Sequence, residues 1–393
     1  MTTPVETGPA TPEQDVPFFS QAATFRRLWP LIERHLDEVV DRGKYSHGAK
    51  VAEFETALAA WTGARHAVAV NSGTDALVLL LLAAGLRPGD EVVVPAFSFV
   101  ASASSVVLAR GRPVFADIEP DTYALDPESA ASVLTPRTRM MMPVHLFCQM
   151  SDMTALGELA RKHGLRLVED SAEAIGMRWQ GMHAGLLGAG GVLSFFPSKT
   201  LGAIGDAGAV LTDDTQLAQA VMAMRHHGRY GNTIDNFPGI SNPTVLPGMN
   251  SKMDDIQAAV LLAKLTRLES DIAARAELAA AYTERLQDIP GIHRLPTVRR
   301  DHPVYYVYLI EAERRDQLVR HLAGRGIATE TYYPTPLHLQ PCFAELGHRR
   351  GDFPHAEAAC ERALALPLYP DLPPSAIDRV CDEIRRFYCG RPA

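Results

Sequence analysis

With 393 residues, 47% of them hydrophobic and 21% charged, the chain is long enough for two cores and has an ordinary globular composition. Its net charge of -8 argues against a nucleic-acid partner, which would call for a basic face. The five cysteines (Cys148, Cys342, Cys360, Cys381 and Cys389) form no CxxC pair, so they read as reduced thiols rather than a disulfide framework or metal site.

Residues 1–16 read as a flexible arm. They carry no signal-peptide pattern, and the longest apolar stretch, near 76–86, is too short to span a bilayer, so a cytoplasmic protein with no membrane partner is expected. Apolar residues at helical spacing predict helices over 24–40 and around 51–61. From residue 66 strands and helices alternate: strands at 66–70, 91–94, 113–116, 140–144 and 165–169, and helices at 74–84, 100–108, from 127, and at 152–162. This rhythm predicts an α/β fold with a mostly parallel sheet flanked by helices. It fades after 191–195 and 209–212. Residues 253–286 read as long helical sequence bridging to a smaller C-terminal α+β part, with a strand at 305–310 and helices at 314–325 and 374–388. The expected division is a large domain over 17–265 and a small one over 266–393.

Ligands of an open parallel sheet bind beyond the carboxyl ends of its strands. Three segments fall at such places. Asn71-Ser72-Gly73-Thr74-Asp75 joins a strand to a helix, and its glycine and free helix N–H groups suit a phosphate, although Ser72 is also an ordinary helix cap. The strand from Leu165 runs into Glu169-Asp170, where a buried carboxylate would keep a pyridinium nitrogen protonated. Ser194-Phe195-Phe196-Pro197-Ser198-Lys199 leads into glycine-rich sequence, and desolvation there is expected to lower the lysine pKa and free its amine for imine formation.

The motifs SGTDAL (72–77), PAFSFVAS (95–102), PVHLF (143–147), VEDSAEAIG (168–176), SFFPSKTLGAIGDAGA (194–209), GMNSKMDDIQAA (248–259) and YYPTPLHLQP (332–341) stand in an order that resembles the DegT/StrS family of sugar aminotransferases, fold-type I enzymes of pyridoxal 5'-phosphate (PLP). The resemblance covers about 45–388. It implies Lys199 as the Schiff-base lysine and proton carrier, and Asp170 as partner of the pyridinium nitrogen. It implies Gly73, Thr74, Asp75 and Ser194 around the phosphate, and Phe99 (or else Phe97) stacked on the ring. Asn250 would reach the cofactor of a neighbouring subunit in a homodimer with shared active sites, and Tyr333, His338 and Lys252 would lie near the sugar nucleotide. Plain alternatives stand beside these roles: Phe99 as core, His338 as a turn histidine, Asn250 as a helix cap. Glu173 stands where relatives often carry Gln or His near the phenolic oxygen of the cofactor, and Ser251-Lys252 replaces a frequent Tyr-Arg pair. A branch with histidine in place of the lysine performs dehydration, so Lys199 implies transamination. The implied reaction takes an amino group from L-glutamate to a nucleotide-linked 3-keto or 4-keto hexose. A keto-cyclitol or aminobenzoate-forming activity within the same family, or a non-catalytic sensor or partner subunit on this fold, stays open.

Overall fold

A computed structural model describes residues 15–46, 48–230, 242–296 and 304–390. Most of the expected arm therefore lies outside the described residues. Two four-stranded ladders form the central sheet. One pairs Arg112–Ala116, Glu91–Pro95, Thr138–Met141 and Arg166–Leu167, all parallel. The other pairs Glu169–Asp170, Gly191–Ser194, Gly208–Thr212 and His66–Val70. The two ladders meet along the path from Arg166 to Asp170, where the Val168 N–H donates to Met141 O at 3.1 Å and the Asp170 N–H to Pro143 O at 3.0 Å. Gly208–Thr212 runs antiparallel to both of its neighbours, Gly191–Ser194 and His66–Val70, and the other pairings of the two ladders are parallel.

The helix Gly73–Ala83 is buried from Ala76 through Leu81, and it packs on the sheet and on the helices Val100–Leu108 and Thr215–Met224. An all-apolar helix is stable only where every side meets a neighbour. No helix among the described residues is long and apolar enough to cross a membrane.

The expected single helix over 253–286 is two helices, Asp255–Leu265 and Leu268–Leu286. The break falls where Thr266 turns its hydroxyl back to Ala263 O at 2.7 Å, competing with the helical ladder. The first of the two packs on Ala22–Arg42 and Ala49–Thr62, and the second reaches the C-terminal helix Pro374–Cys389. Beyond them lies a three-stranded antiparallel sheet of Ile292–Arg294, Tyr308–Ala312 and Ala363–Leu366. The expected strand over 305–310 starts later than its apolar residues suggest, because the Tyr306 N–H is taken by Phe147 O at 2.8 Å. One continuous apolar cluster joins the central sheet to this region through Tyr306, Val307, Leu309, Phe343 and Phe353.

Candidate active site

Strand ends and their following turns converge on a cavity of about 580 Å³, lined by Ser72–Thr74, Ser98, Phe99, His145, Asp170, Glu173, Ser194, Lys199 and, from the far side, Tyr306, Glu330, Tyr332 and Tyr333. At its phosphate-like end Ser72 caps the helix by accepting from the Asp75 N–H at 3.1 Å. Asp75 is turned away from the cavity lining and accepts from the Ser251 hydroxyl at 2.6 Å. Gly73 sits so near the strand Gly191–Ser194 that a Cβ would lie 2.8 Å from Ser194 Cβ. Any larger residue would push the helix mouth off Ser194.

Asp170, 4% exposed, accepts from the Ser102 hydroxyl at 2.7 Å and from the Ala172 N–H at 3.2 Å, while Ser98 and Ser102 share a further hydrogen bond of 2.7 Å. Burial raises its carboxyl above the usual range, against the pull of Ser102, Ala172 and the Lys199 charge. Its neighbour Glu169 faces the other side of the strand. It accepts from the amides of Gly185, Leu187 and Gly188 and pairs with His145 Nε2 at 3.0 Å, so it is a structural carboxylate that fixes a turn and a ring.

Lys199 Nζ lies 3.1 Å from Glu173 Oε1 and 4.2 Å from the centre of the Tyr306 ring. The expectation of a depressed lysine pKa is corrected here. Burial does act against the charge, but Glu173, Tyr306 and Asp170 together hold the ammonium above the ordinary lysine value. Glu173 also accepts from the Phe147 N–H at 3.1 Å and from the Tyr333 hydroxyl at 3.3 Å. Burial, with Glu173 and Tyr306 nearby, pushes the Tyr333 phenol well above its usual value, so it stays protonated as a donor.

Of the two candidate rings, Phe97 is fully buried against Tyr123, Phe147 and Tyr333, whereas Phe99 is 55% exposed and lies at the cavity, 6.1 Å from the Tyr333 ring. His338 is not brought to the cavity. Its ring is buried against Phe353 at 4.8 Å and its Nε2 meets Glu357 Oε1 at 3.1 Å, because the turn that carries it folds inward. Asn250 and Lys252 likewise stand outside the lining and hydrogen bond to each other. Burial, with Arg225 and Arg229 near, lowers the Lys252 pKa. Cys148 is buried, and that burial pushes its thiol up to about 12, as suits a structural thiol.

Tyr306 lies in none of the motifs read in the sequence, and Tyr332 opens the motif at 332–341 without a role of its own. Their hydroxyls lie 3.2 Å apart, and the Tyr306 hydroxyl is 3.3 Å from that of Ser198. Arg275, buried in the helix Leu268–Leu286, holds Tyr306 in place by donating to its carbonyl at 3.0 Å and to Leu368 O at 2.8 Å. Only the packing of distant segments brings these groups together.

The class that this fold and site define is a PLP-dependent aminotransferase of fold-type I. Residues 30–385 match the model of the DegT/DnrJ/EryC1/StrS aminotransferase family, and the chain belongs to that family. It is 39% identical over 372 residues to a Streptomyces venezuelae protein named dTDP-3-amino-3,4,6-trideoxy-alpha-D-glucose transaminase, covering 95% of this chain and 96% of that one. It is also 39% identical over 379 residues to a pleiotropic regulatory protein of Geobacillus stearothermophilus, covering 95% of this chain and 99% of that one. Among solved structures, that of S. venezuelae DesV in complex with a ketimine intermediate superposes with a TM-score of 0.90 at 39% identity, covering 95% of this chain and 98% of that one.

Proposed function

We propose that the chain transfers an amino group from L-glutamate to the keto carbon of a hexose carried on a nucleoside diphosphate, at C3 or C4 of the sugar, with PLP in the cavity described. One observation carries this reading: Lys199, Asp170 and the mouth of the helix Gly73–Ala83 line the same cavity. The similarity to a transaminase named for a dTDP-3-amino sugar supports the substrate class and favours C3.

The residues fit PLP on their own chemistry. The first amides of the helix lie outside its hydrogen-bond ladder and, beside the Ser194 hydroxyl, offer a phosphate both donors and the positive end of the helix dipole. The close approach at Gly73 makes that cradle a backbone one. Asp170, fixed by Ser102, gives a pyridinium nitrogen the buried anion it needs. Phe99 offers a ring face at the rim.

When bound, PLP supplies an electron sink conjugated to the carbon that loses its proton. In the unloaded chain the 3.1 Å contact with Glu173 Oε1 holds and aims the Lys199 side chain. Its amine removes and returns the proton at the reacting carbon of amino donor and sugar in turn. Tyr333 holds Glu173 in reach, and the rings of Phe147, Tyr306 and Tyr332 keep water from that side. Asn250 and Lys252 serve the site of a second subunit in a homodimer, a role that suits their position outside this cavity. The division into domains over 17–265 and 266–393 is part of the same reading, supported by the helix break at Thr266. A cytoplasmic place of action suits the free cysteines.

The test is the visible spectrum of the protein with PLP, before and after L-glutamate, followed by a panel of 3-keto and 4-keto nucleotide hexoses against keto-cyclitols. Bleaching of the visible band and an amino-sugar nucleotide by mass spectrometry are expected. A band that glutamate leaves unchanged, or amination of cyclitols alone, contradicts the proposal.

A further inference from the structure

The loop that carries Lys199 is gripped from behind, by residues that do not line the cavity. The chain leaves the sheet at Phe195, turns through residues 196–202 and closes where the Ala203 N–H donates to Phe195 O at 2.8 Å. The closure is tight: a Cβ at Gly202 would lie 2.4 Å from Pro197 O, so only glycine lets the two ends of the loop pass. Both ends are then tied to the same pair of side chains. Gln21 Nε2 donates to Pro197 O. Lys264 Nζ donates to Gly202 O at 2.6 Å and to Gln21 Oε1 at 2.7 Å. A glutamine and a lysine thereby close a ring across the base of the loop.

Lys264 is 5% exposed, and burial, reinforced by the Arg275 charge, pulls its pKa down to about 7. An ammonium in such a place is expensive, whereas a methionine of similar length would fill the space without that penalty. What the amine does that methionine cannot is donate to two oxygens, and it does so in either charge state. The other half of the clamp is anchored as well. Gln21 precedes the helix Ala22–Arg42, whose first turns are bound to the C-terminal region by Thr24 Oγ1 on Asp371 Oδ2 at 2.5 Å and by Arg27 Nη1 on Asp371 Oδ1 at 2.7 Å. The preceding segment is pinned too, the Val16 N–H donating to Gly326 O at 2.8 Å and Val16 O accepting from the Ala328 N–H at 3.0 Å.

We propose that Gln21 and Lys264 are positioning residues that hold the backbone of residues 197–202 so that the Lys199 amine meets the reacting carbon, an inference that rests on Lys199 being the reacting amine. They touch neither substrate nor cofactor and act only through the loop.

The experiment compares PLP-loaded wild type with Lys264→Met, Gln21→Ala and the double variant. Three readouts are taken: kcat and KM separately, the pH midpoint of the visible band that PLP gives on Lys199, and the residue labelled by borohydride reduction. Both single variants should lose kcat by roughly tenfold or more with KM within about twofold, since misplaced reacting groups cost rate rather than binding. The midpoint of the band should move in both. The double variant should be no worse than the worse single one, because the two residues form one ring. Lys264→Gln, which keeps a donor, should recover part of the rate. Variants with wild-type kcat and band midpoint overturn the clamp, as does a loss confined to PLP affinity or thermal stability. If Lys264→Met does not fold, Gln21→Ala alone decides. Failure of the underlying reading looks different: in wild type itself the borohydride label would then be missing from Lys199.

Discussion

The two walls of the cavity are built in different ways. One wall is made of strand ends and the turns that follow them: Gly73 after His66–Val70, Ser98 and Phe99 after Glu91–Pro95, His145 after Thr138–Met141, Asp170 at the end of its own strand and Ser194 at the end of Gly191–Ser194. The sheet brings these residues together because the strands that carry them point the same way, and two of them are held further by side chains of the same wall or its back, Asp170 by Ser102 and His145 by Glu169. The opposite wall is made of tyrosines from residues 306, 332 and 333, held by hydroxyl contacts, ring edges and the buried Arg275. The first wall carries the groups whose charge and proton transfers make a reaction. The second supplies shape, dryness and a phenolic donor to Glu173. A site can therefore keep its chemistry on the rigid sheet while its fit is adjusted on the wall that packing, not backbone, holds in place.

That contrast can be broken by substitution. Lys199→Ala should lower turnover by roughly 10⁴-fold, the scale of a lost proton carrier, with the fold retained by circular dichroism; normal amino transfer would remove the lysine from the chemistry. Asp170→Asn should cost about 10²–10³-fold in kcat, the scale of a removed electrostatic partner. Tyr333→Phe, on the opposite wall, should cost about tenfold, the lower end of what one hydrogen bond to a charged group is worth, as suits its 3.3 Å length. A Tyr333 effect larger than that of Asp170 would reverse the division of labour between the walls. Glu173→Gln sharpens the comparison through pH. Because the carboxylate is among the groups holding the Lys199 ammonium above the ordinary lysine value, its removal should lower that pKa. More amine is then free at a given pH, so the pH midpoint for PLP reacting with the unloaded chain should move down; an unchanged or higher midpoint would contradict the pairing. The smallest catalytic effect belongs to His338→Asn. It should leave KM nearly unchanged and cost about 1–3 kcal/mol of stability by urea unfolding, since Glu357 would lose a buried partner.

The same contrast explains what could be read from the sequence. Helix and strand positions across residues 66–170 follow from local periodicity, and Gly73, Asp170 and Lys199 stand in motifs whose glycine, strand-end carboxylate and isolated lysine have a meaning on their own. The helix break at Thr266 was not legible, because a threonine side chain bonding back to the ladder leaves the apolar spacing intact. Tyr306 looked like a strand residue, since only its pairing with Phe147 O reveals that the strand has not yet begun. His338 has a motif position near a sugar site, yet Phe353 and Glu357, which bury it, lie beyond the motif. The direction of the lysine pKa shift escapes the sequence for a related reason: apolar neighbours imply burial, but the distance to Glu173 is a tertiary fact.

The most direct measurement for the central claim is borohydride reduction of the protein loaded with PLP, followed by peptide mass mapping. A single pyridoxyl-labelled peptide is expected, modified at Lys199, with no label in Lys199→Ala. Label on another lysine, or none in the wild-type chain under conditions that give a visible PLP band, would contradict that claim.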